Sequence, residues 1–271
     1  MIKKYSKLLM LVFLFSLGAC AVTENNLIET AKSGETTLVQ QLVEDGADVN
    51  CRDKTGQTPL HHACYFGHFD IVKHLVENGA NVNIEVPERL LTPLHAATMN
   101  GDIKIVKYLV DNGANINAKD DEGGTPLIAA CWIGKRDVVE YLAGKGAEIK
   151  VKTKYGVSPL HYSVESGSIG LVTYFVDNGL DINDRAMNGA TPLHIAVASR
   201  NIPIVKFLVK NGAKLDVRMK QDSIFTIVLN APILSDNDVI NIEVYDGQSP
   251  LDIAEDNEYY EIIDLLTNVN E

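Results

Sequence analysis

Four histidines recur at one place of a repeated hexapeptide, and their spacing decides what chemistry they could do together. They are His61, His95, His161 and His194. Histidine is a common general base and a common metal ligand, so such a series suggests a catalytic site or a metal site. Successive copies lie one repeat apart, about 10 Å at ordinary helix packing distances, whereas a metal holds its ligands at about 2 Å. Neighbouring copies are therefore poorly placed to share an ion, and we predict a structural role for each.

The cysteines are the other reactive side chains. Cys64 and Cys131 hold the same place two repeats apart, roughly 20 Å, whereas a disulfide needs Cα atoms within about 7 Å. Cys51 is expected in a loop and Cys64 inside a helix. We therefore predict that these three cysteines are buried thiols, leaving Cys20 as a separate case.

Motifs of known enzyme classes are missing from the sequence. We find no G-x-S-x-G, Walker loop, H-E-x-x-H or C-x-x-C pattern. Carboxylates are plentiful but scattered about one per loop, which does not indicate a positioned acid–base pair. The sequence predicts a protein that is not an enzyme and has no cofactor and no metal.

The hexapeptide itself sets the elements that position these residues. Its six copies start 34, 33, 33, 33 and 58 residues apart, and a fixed period in the thirties is typical of stacked repeats. The threonine or serine is a good helix N-cap, and proline suits the first helical position. A second helix with apolar pairs follows, as at Ile71, Val72, Leu75 and Val76. The copies are T-P-L-H-H-A at Thr58–Ala63, T-P-L-H-A-A at Thr92–Ala97, T-P-L-I-A-A at Thr125–Ala130, S-P-L-H-Y-S at Ser158–Ser163, T-P-L-H-I-A at Thr191–Ala196 and S-P-L-D-I-A at Ser249–Ala254.

On these motifs the sequence resembles the ankyrin-repeat family. The resemblance implies an all-α fold, a solenoid of stacked helix–turn–helix units with loop or β-turn fingers. It also implies that the hexapeptide histidine bonds the threonine hydroxyl and a neighbouring backbone group. Partners of the family dock on the concave surface made by the finger tips and first helices. The function implied is a non-catalytic scaffold for protein–protein interaction, which we expect to be a monomer.

The period predicts one ankyrin-repeat domain over residues 27–271, with about seven repeats. The predicted repeats are a truncated N-terminal cap near 27–51, fuller repeats near 53–86, 87–119, 120–152, 153–185 and 186–218, a degraded repeat near 219–243, and a C-terminal cap near 245–271.

The 58-residue gap after Thr191 is where the period fails. We interpret it as one degraded repeat, because the apolar stretch Ile224–Ala231 falls one period after Thr191 and has the character of a first helix. The alternative is a β-rich insertion, because Ile224–Leu229 is rich in β-branched residues.

The first residues have the pattern of a secretory signal. Three lysines precede an apolar run, Leu8–Leu17, that is too short for a membrane span of roughly 20 residues. The ending Leu17–Cys20 resembles the lipobox of bacterial lipoproteins, which implies cleavage after a signal of residues 1–19 and lipidation of Cys20. Residues 20–26 would then be a short tether to the membrane. The alternatives are an ordinary signal that is cut near Ala19, or a retained anchor.

Charge and surface residues bound the choice of partner. The net charge of -12 repels nucleic acid, and no basic stripe offsets it. Aromatic residues and methionine are typical interface anchors, and several are expected to face outward on the first helices, although packing between those helices is the alternative role. The leading hypothesis is a lipid-anchored scaffold of the bacterial envelope, facing the periplasm or the outside; the alternative is a secreted or host-directed effector. The predicted partner-binding residues are Tyr65, Phe66, Met99, Trp132, Ile133 and Tyr162 on the first helices, with Arg89 and Tyr155 at finger tips.

Overall fold

The computed structural model describes residues 26–220, 225–226, 243–244 and 247–268. The signal over residues 1–19, Cys20 and nearly all of the tether over residues 20–26 lie outside these residues and stay predictions. The chain divides into two compact parts, an N-terminal half that ends at Asp121 and a C-terminal half that begins at Glu122.

The N-terminal half is built from pairs of short helices. Its helices are α1 over residues 26–33, α2 at Thr36–Glu44, α3 at Pro59–Phe66, α4 at Phe69–Glu77, α5 at Pro93–Asn100 and α6 at Ile103–Asp111.

The C-terminal half continues the pattern and adds one very short strand pair. Its elements are α7 at Pro126–Trp132, α8 at Arg136–Gly144, α9 at Pro159–Glu165, α10 at Ile169–Asp177, α11 at Pro192–Ala198, α12 at Ile202–Lys210, β1 at Phe225–Thr226, β2 at Glu243–Val244, α13 at Pro250–Asp256 and α14 at Tyr260–Thr267.

Local sequence explains where each first helix begins and ends. Thr58 has an extended backbone and caps α3, while Pro59 takes the first helical position, where its missing N–H is not needed. The helix stops at Gly67, whose φ of +80° is in the left-handed region that favours glycine. A Cβ there would lie 3.1 Å from the side chain of Asn100, so space as well as φ favours glycine.

Packing between neighbouring helix pairs buries apolar side chains that a single pair would leave exposed to water. In the N-terminal half α3 packs on α4 and α5, and in the C-terminal half α9 packs on α7, α10 and α11. Leu60, Ile71 and Leu75 are almost fully buried. Burial of one such side chain stabilises the fold by about 1.5–3 kcal/mol. The all-α class of stacked helix–turn–helix repeats is confirmed.

Asparagine side chains also join successive repeats. In the C-terminal half the Asn183 amide donates to the carbonyl of Gly212 at 3.3 Å, and its oxygen accepts the N–H of Lys214 at 2.7 Å. Asn83 makes the same two bonds in the N-terminal half, to Gly113 and Asn115. The amide thus satisfies a donor and an acceptor of the next repeat at once.

The fingers between the helix pairs are closed by one recurring backbone hydrogen bond. In several repeats its donor lies five residues before the hexapeptide, and its acceptor lies one residue before. The N–H of Thr153 donates to Val157 at 3.0 Å, and the N–H of Ala186 donates to Ala190 at 2.9 Å. This bond therefore marks the finger that belongs to each hexapeptide.

The same bond shows where the extra residues of the 58-residue gap lie. For the hexapeptide at Ser249 the donor is Met219 and the acceptor is Gln248, at 3.1 Å. His194 also bonds the carbonyl of Gln248, at 3.2 Å, as His161 bonds the finger of the next repeat. In addition, α11 packs on α13 and α12 packs on α14. The repeat that starts at Ser249 therefore lies directly against the repeat that starts at Thr191.

The degraded repeat predicted near 219–243 lies largely outside the described residues, so it stays a prediction. The strands β1 and β2 pair antiparallel, with Phe225 opposite Val244. The other residues between Lys220 and Gly247 lie outside the described residues. Met219 and Gln248 are held together by their hydrogen bond. Extra residues between them cost little free energy of folding, because loop-closure entropy grows only slowly with loop length.

Candidate protein-binding surface

Two predicted partner-binding residues form an aromatic pair at the end of α3. Phe66 is 48% exposed and Tyr65 is half-buried. Their rings meet edge to face with centroids 5.1 Å apart. Such a pair gives a rigid apolar contact surface with few torsions to freeze on binding.

Met99 lies on α5, which packs directly against α3, at the helix position that Tyr65 has in α3. It is half-buried. The next residue, Asn100, donates from its side chain to the carbonyl of Tyr65 at 3.0 Å. The N-terminal half therefore brings Tyr65, Phe66 and Met99 onto neighbouring helix ends.

In the C-terminal half the corresponding residues form what we call the Trp132 row. The row consists of Trp132, Glu165 and Ala198, which are the last residues of α7, α9 and α11. Helix α7 packs on α9, and α9 packs on α11, so the three positions are neighbours. Trp132 and Glu165 are half-buried, and Ala198 is buried.

The other two predicted residues of these helices flank the row. Ile133 is the C-cap of α7, and Tyr162 lies one turn before Glu165 on α9; both are half-buried. The structure thus places Trp132, Ile133 and Tyr162 on adjacent helices. Glu165 was not among the predicted binding residues. Its outward place on α9 was visible in the sequence, but its burial was not.

Glu165 is the electrostatically unusual member of the row. Burial is the cause that raises the pKa of its carboxyl to about 7. Neither a hydrogen bond nor an ion pair is formed by this carboxyl within the described ranges. Buried carboxylates normally have a partner, since removal from water disfavours the charged form.

The two predicted finger-tip residues lie in exposed turns. Arg89 is exposed, and its carbonyl accepts the N–H of Asp121 at 3.1 Å. Tyr155 is 49% exposed, and its hydroxyl donates to Glu122 at 3.0 Å. The ammonium of Lys154 lies 5.0 Å from the centre of the Tyr155 ring. Arg89 belongs to the N-terminal half and Tyr155 to the C-terminal half.

The hexapeptide histidines are structural in geometry. The N–H of Thr58 donates to Nδ1 of His61 at 3.2 Å, so the protonated Nε2 donates to the carbonyl of Leu91 at 3.1 Å. Burial lowers the pKa of His61, and likewise those of His161 and His194, to about 4. A neutral ring held at both nitrogens is a tie between repeats and has no nitrogen free for proton transfer.

Two repeats have a different residue at this place. With Ile128, the cap keeps only the bond from the Ile128 N–H to the hydroxyl of Thr125, at 3.4 Å. With Asp252, a carboxylate oxygen accepts both the N–H and the hydroxyl of Ser249 at 2.8 Å. Asp252 thereby replaces Nδ1, and it also pairs with Arg218 at 2.7 Å.

Comparison with known families agrees with this geometry. The family model described as ankyrin repeats, in three copies, matches residues 7–86, 27–120, 85–153 and 127–219. These matches together span more than half of the chain. The chain belongs to the ankyrin-repeat family.

Relatives of this ankyrin-repeat chain match over one or two repeats. Mouse 2-5A-dependent ribonuclease is 48% identical over 50 residues, which are 18% of this chain and 7% of that protein. Mouse protein phosphatase 1 regulatory subunit 27 is 51% identical over 45 residues, 17% of this chain and 29% of that protein. A Rickettsia felis protein named for its ankyrin repeats is 44% identical over 46 residues, 17% of this chain and 73% of that protein.

The chain spans less than a tenth of the length of the ribonuclease, so the similarity concerns the repeats alone. An all-helical ankyrin-repeat fold is typically a non-catalytic scaffold, and ankyrin repeats typically bind proteins.

The remaining reactive groups of the ankyrin-repeat domain are buried or dispersed. Cys51, Cys64 and Cys131 are buried, as predicted, and burial raises the pKa of the Cys64 and Cys131 thiols. Within the described ranges, no three His, Cys, Asp or Glu side chains gather as metal ligands would. Nor is any helix of these ranges both long and apolar enough to cross a membrane.

Proposed function

We propose that the chain is a monomeric, non-catalytic scaffold that binds a protein partner through the outward ends of its first helices. The observation that carries this proposal is the placement of Trp132, the one tryptophan of the chain, half-buried at the end of α7 beside Glu165. Tryptophan and tyrosine are the residues most enriched among energetic anchors of interfaces. The aromatic pair of Tyr65 and Phe66 offers the same kind of surface in the other half.

The test is capture of the partner from the native cell by crosslinking, followed by mass spectrometry and a pull-down with variants. Trp132→Ala is expected to weaken the pull-down at least about tenfold, since anchors contribute about 2 kcal/mol or more. Tyr260→Ala is the control, because Tyr260 is 73% exposed and lies on α14, which is not a first helix. Equal recovery of the partner by Trp132→Ala and Tyr260→Ala would remove this site from the proposal.

We further propose that a lipid on Cys20 anchors the scaffold to a membrane of the bacterial envelope. The support is the sequence pattern of Leu17–Cys20 after an apolar run. Several acyl chains, at about 0.8 kcal/mol per buried CH₂, would hold the protein stably. Labelling with a clickable fatty acid is expected to mark the chain and to be lost in Cys20→Ser but not in Cys51→Ala. An unlabelled protein in the culture medium would favour the secreted or host-directed effector instead.

A further inference from the structure

The Trp132 row combines three different surfaces within a short distance. Trp132 offers an aromatic face, Glu165 a carboxyl group, and Ala198 only a methyl group. Neighbouring first helices pack about 8–10 Å apart, which is within the reach of a tryptophan and a glutamate that point the same way. The small side chain at Ala198 leaves the far side of Glu165 less covered than a large residue would.

Two arginines on the neighbouring elements already have other contacts. On α8, Nε of Arg136 donates to Glu140 at 2.7 Å. In the turn after α11, the guanidinium of Arg200 lies 5.4 Å from the centre of the Tyr259 ring. The carboxyl of Glu165 therefore keeps its acceptor capacity without an internal counter-ion among the described residues.

We propose that the Trp132 row binds an arginine or lysine side chain carried by an exposed segment of the partner protein. This inference rests on the proposed function and names the chemistry of the partner. A cation over the tryptophan face is attracted by the ring, and a guanidinium can stack on the indole while it donates to the carboxylate. A hydrogen bond between two charged groups is about twice as strong as a neutral one.

The charge of the whole chain favours the same kind of partner. The net charge of -12 attracts basic segments and speeds their encounter. A purely apolar segment on this row would cover Glu165 without giving it a hydrogen bond, and an acidic segment would repel it. A basic side chain supplies the hydrogen-bond donor and the opposite charge that the half-buried carboxyl lacks, and its binding would lower the raised pKa of that group.

The single tryptophan makes the site directly observable. In the full chain, the fluorescence of Trp132 is titrated with hexaarginine, with hexalysine and with hexaglutamate, in 150 mM salt. We expect a saturable change with the basic peptides and none with hexaglutamate. Glu165→Gln is expected to weaken the binding of hexaarginine by at least about tenfold, the loss of one charge-assisted bond. Glu255→Gln removes an exposed charge on α13 and should stay within about twofold.

Equal affinity of wild type and Glu165→Gln would overturn the inference, and so would an equal weakening by both variants, which would indicate attraction by bulk charge. The helical circular dichroism signal verifies that each variant is folded. The proposed function has its own readout in the pull-down. If Trp132→Ala loses the partner while Glu165→Gln retains it, the proposed scaffold function is supported. The proposal that the row binds a basic side chain is then refuted. If Trp132→Ala retains the partner, the site itself is wrong.

Discussion

Replacing Glu165 by glutamine keeps the size of the side chain and removes its charge, so the effect on stability should depend on pH. The ordinary pKa of 4.5 is raised to about 7 in the folded chain by burial. Between these values the folded state holds a proton that the unfolded state has lost. Folding is therefore progressively disfavoured as pH rises from 4.5 to about 7, and the cost is constant above that range.

The size of this cost follows from the shift. At about 1.4 kcal/mol per pKa unit, the shift corresponds to an upper limit of about 3 kcal/mol. Glu165 is only half-buried, and solvent screening reduces the effect, so we expect about 1–3 kcal/mol. We compare the free energy of unfolding of Glu165→Gln with that of wild type at each pH. The variant's advantage over wild type should be larger at pH 8 than at pH 4.5 by this amount.

The measurement is urea unfolding followed by far-ultraviolet circular dichroism at pH 4.5, 6 and 8. The buried histidines, with pKa values lowered to about 4, act in the opposite direction, since they favour the folded state increasingly as pH rises from 4 to 6.5. They are common to both proteins and cancel in the difference. Glu255→Gln, at an exposed position on α13, is measured in parallel as the control variant. A pH-independent difference in stability between Glu165→Gln and wild type would mean that this carboxyl is well solvated. It would refute the argument that the Trp132 row contains a buried carboxyl without a charged partner.

Three further perturbations test the repeats themselves. His161→Ala should lower the free energy of unfolding by about 2–4 kcal/mol, because it leaves a backbone carbonyl and an N–H unsatisfied in a buried place; a loss under 1 kcal/mol in urea unfolding would contradict the tie between repeats. Asn183→Ala should cost about 1–2 kcal/mol in the same assay, since both of its bonds are exposed to solvent. Deletion of residues 222–245, with a two-glycine link, should keep the helical signal and the packing of the last repeat; loss of protection from hydrogen exchange in α13 and α14 would show that the insertion is part of the stack.

The elements of this fold were predictable because their signals are local. A threonine or serine followed by proline fixes where α3, α5, α7, α9, α11 and α13 begin, and these signals lie within a few residues of the bonds that they form. The link from His194 to Gln248 joins residues 54 apart in the chain, and no period reveals it. Spacing alone counts the extra residues but does not show that the repeats starting at Thr191 and Ser249 pack directly on each other.

The binding surface was predictable only in part, for a different physical reason. Residue type and helical position identify Trp132 and Tyr162 as outward aromatics, because these properties follow from the repeat register. The state of Glu165 depends on which neighbours exclude water from it, and those neighbours come from helices 33 residues away on either side. A carboxyl in the sequence looks the same whether it is solvated or buried without a partner.

The row also includes a helix that lacks the histidine link between repeats. Helix α7, which ends in Trp132, carries Ile128 in place of the hexapeptide histidine, so its cap has only the 3.4 Å bond to Thr125 and no ring that reaches the next finger. Glu165, at the end of α9, opposes folding through its raised pKa. A chain selected for stability alone would place histidine and an uncharged residue at these two positions, as other repeats of the same chain do with His95 and Met99. Two departures on adjacent, packed helices favour a surface that is kept for binding, since a partner that supplies a cation to Glu165 would recover the stability that these helices lack.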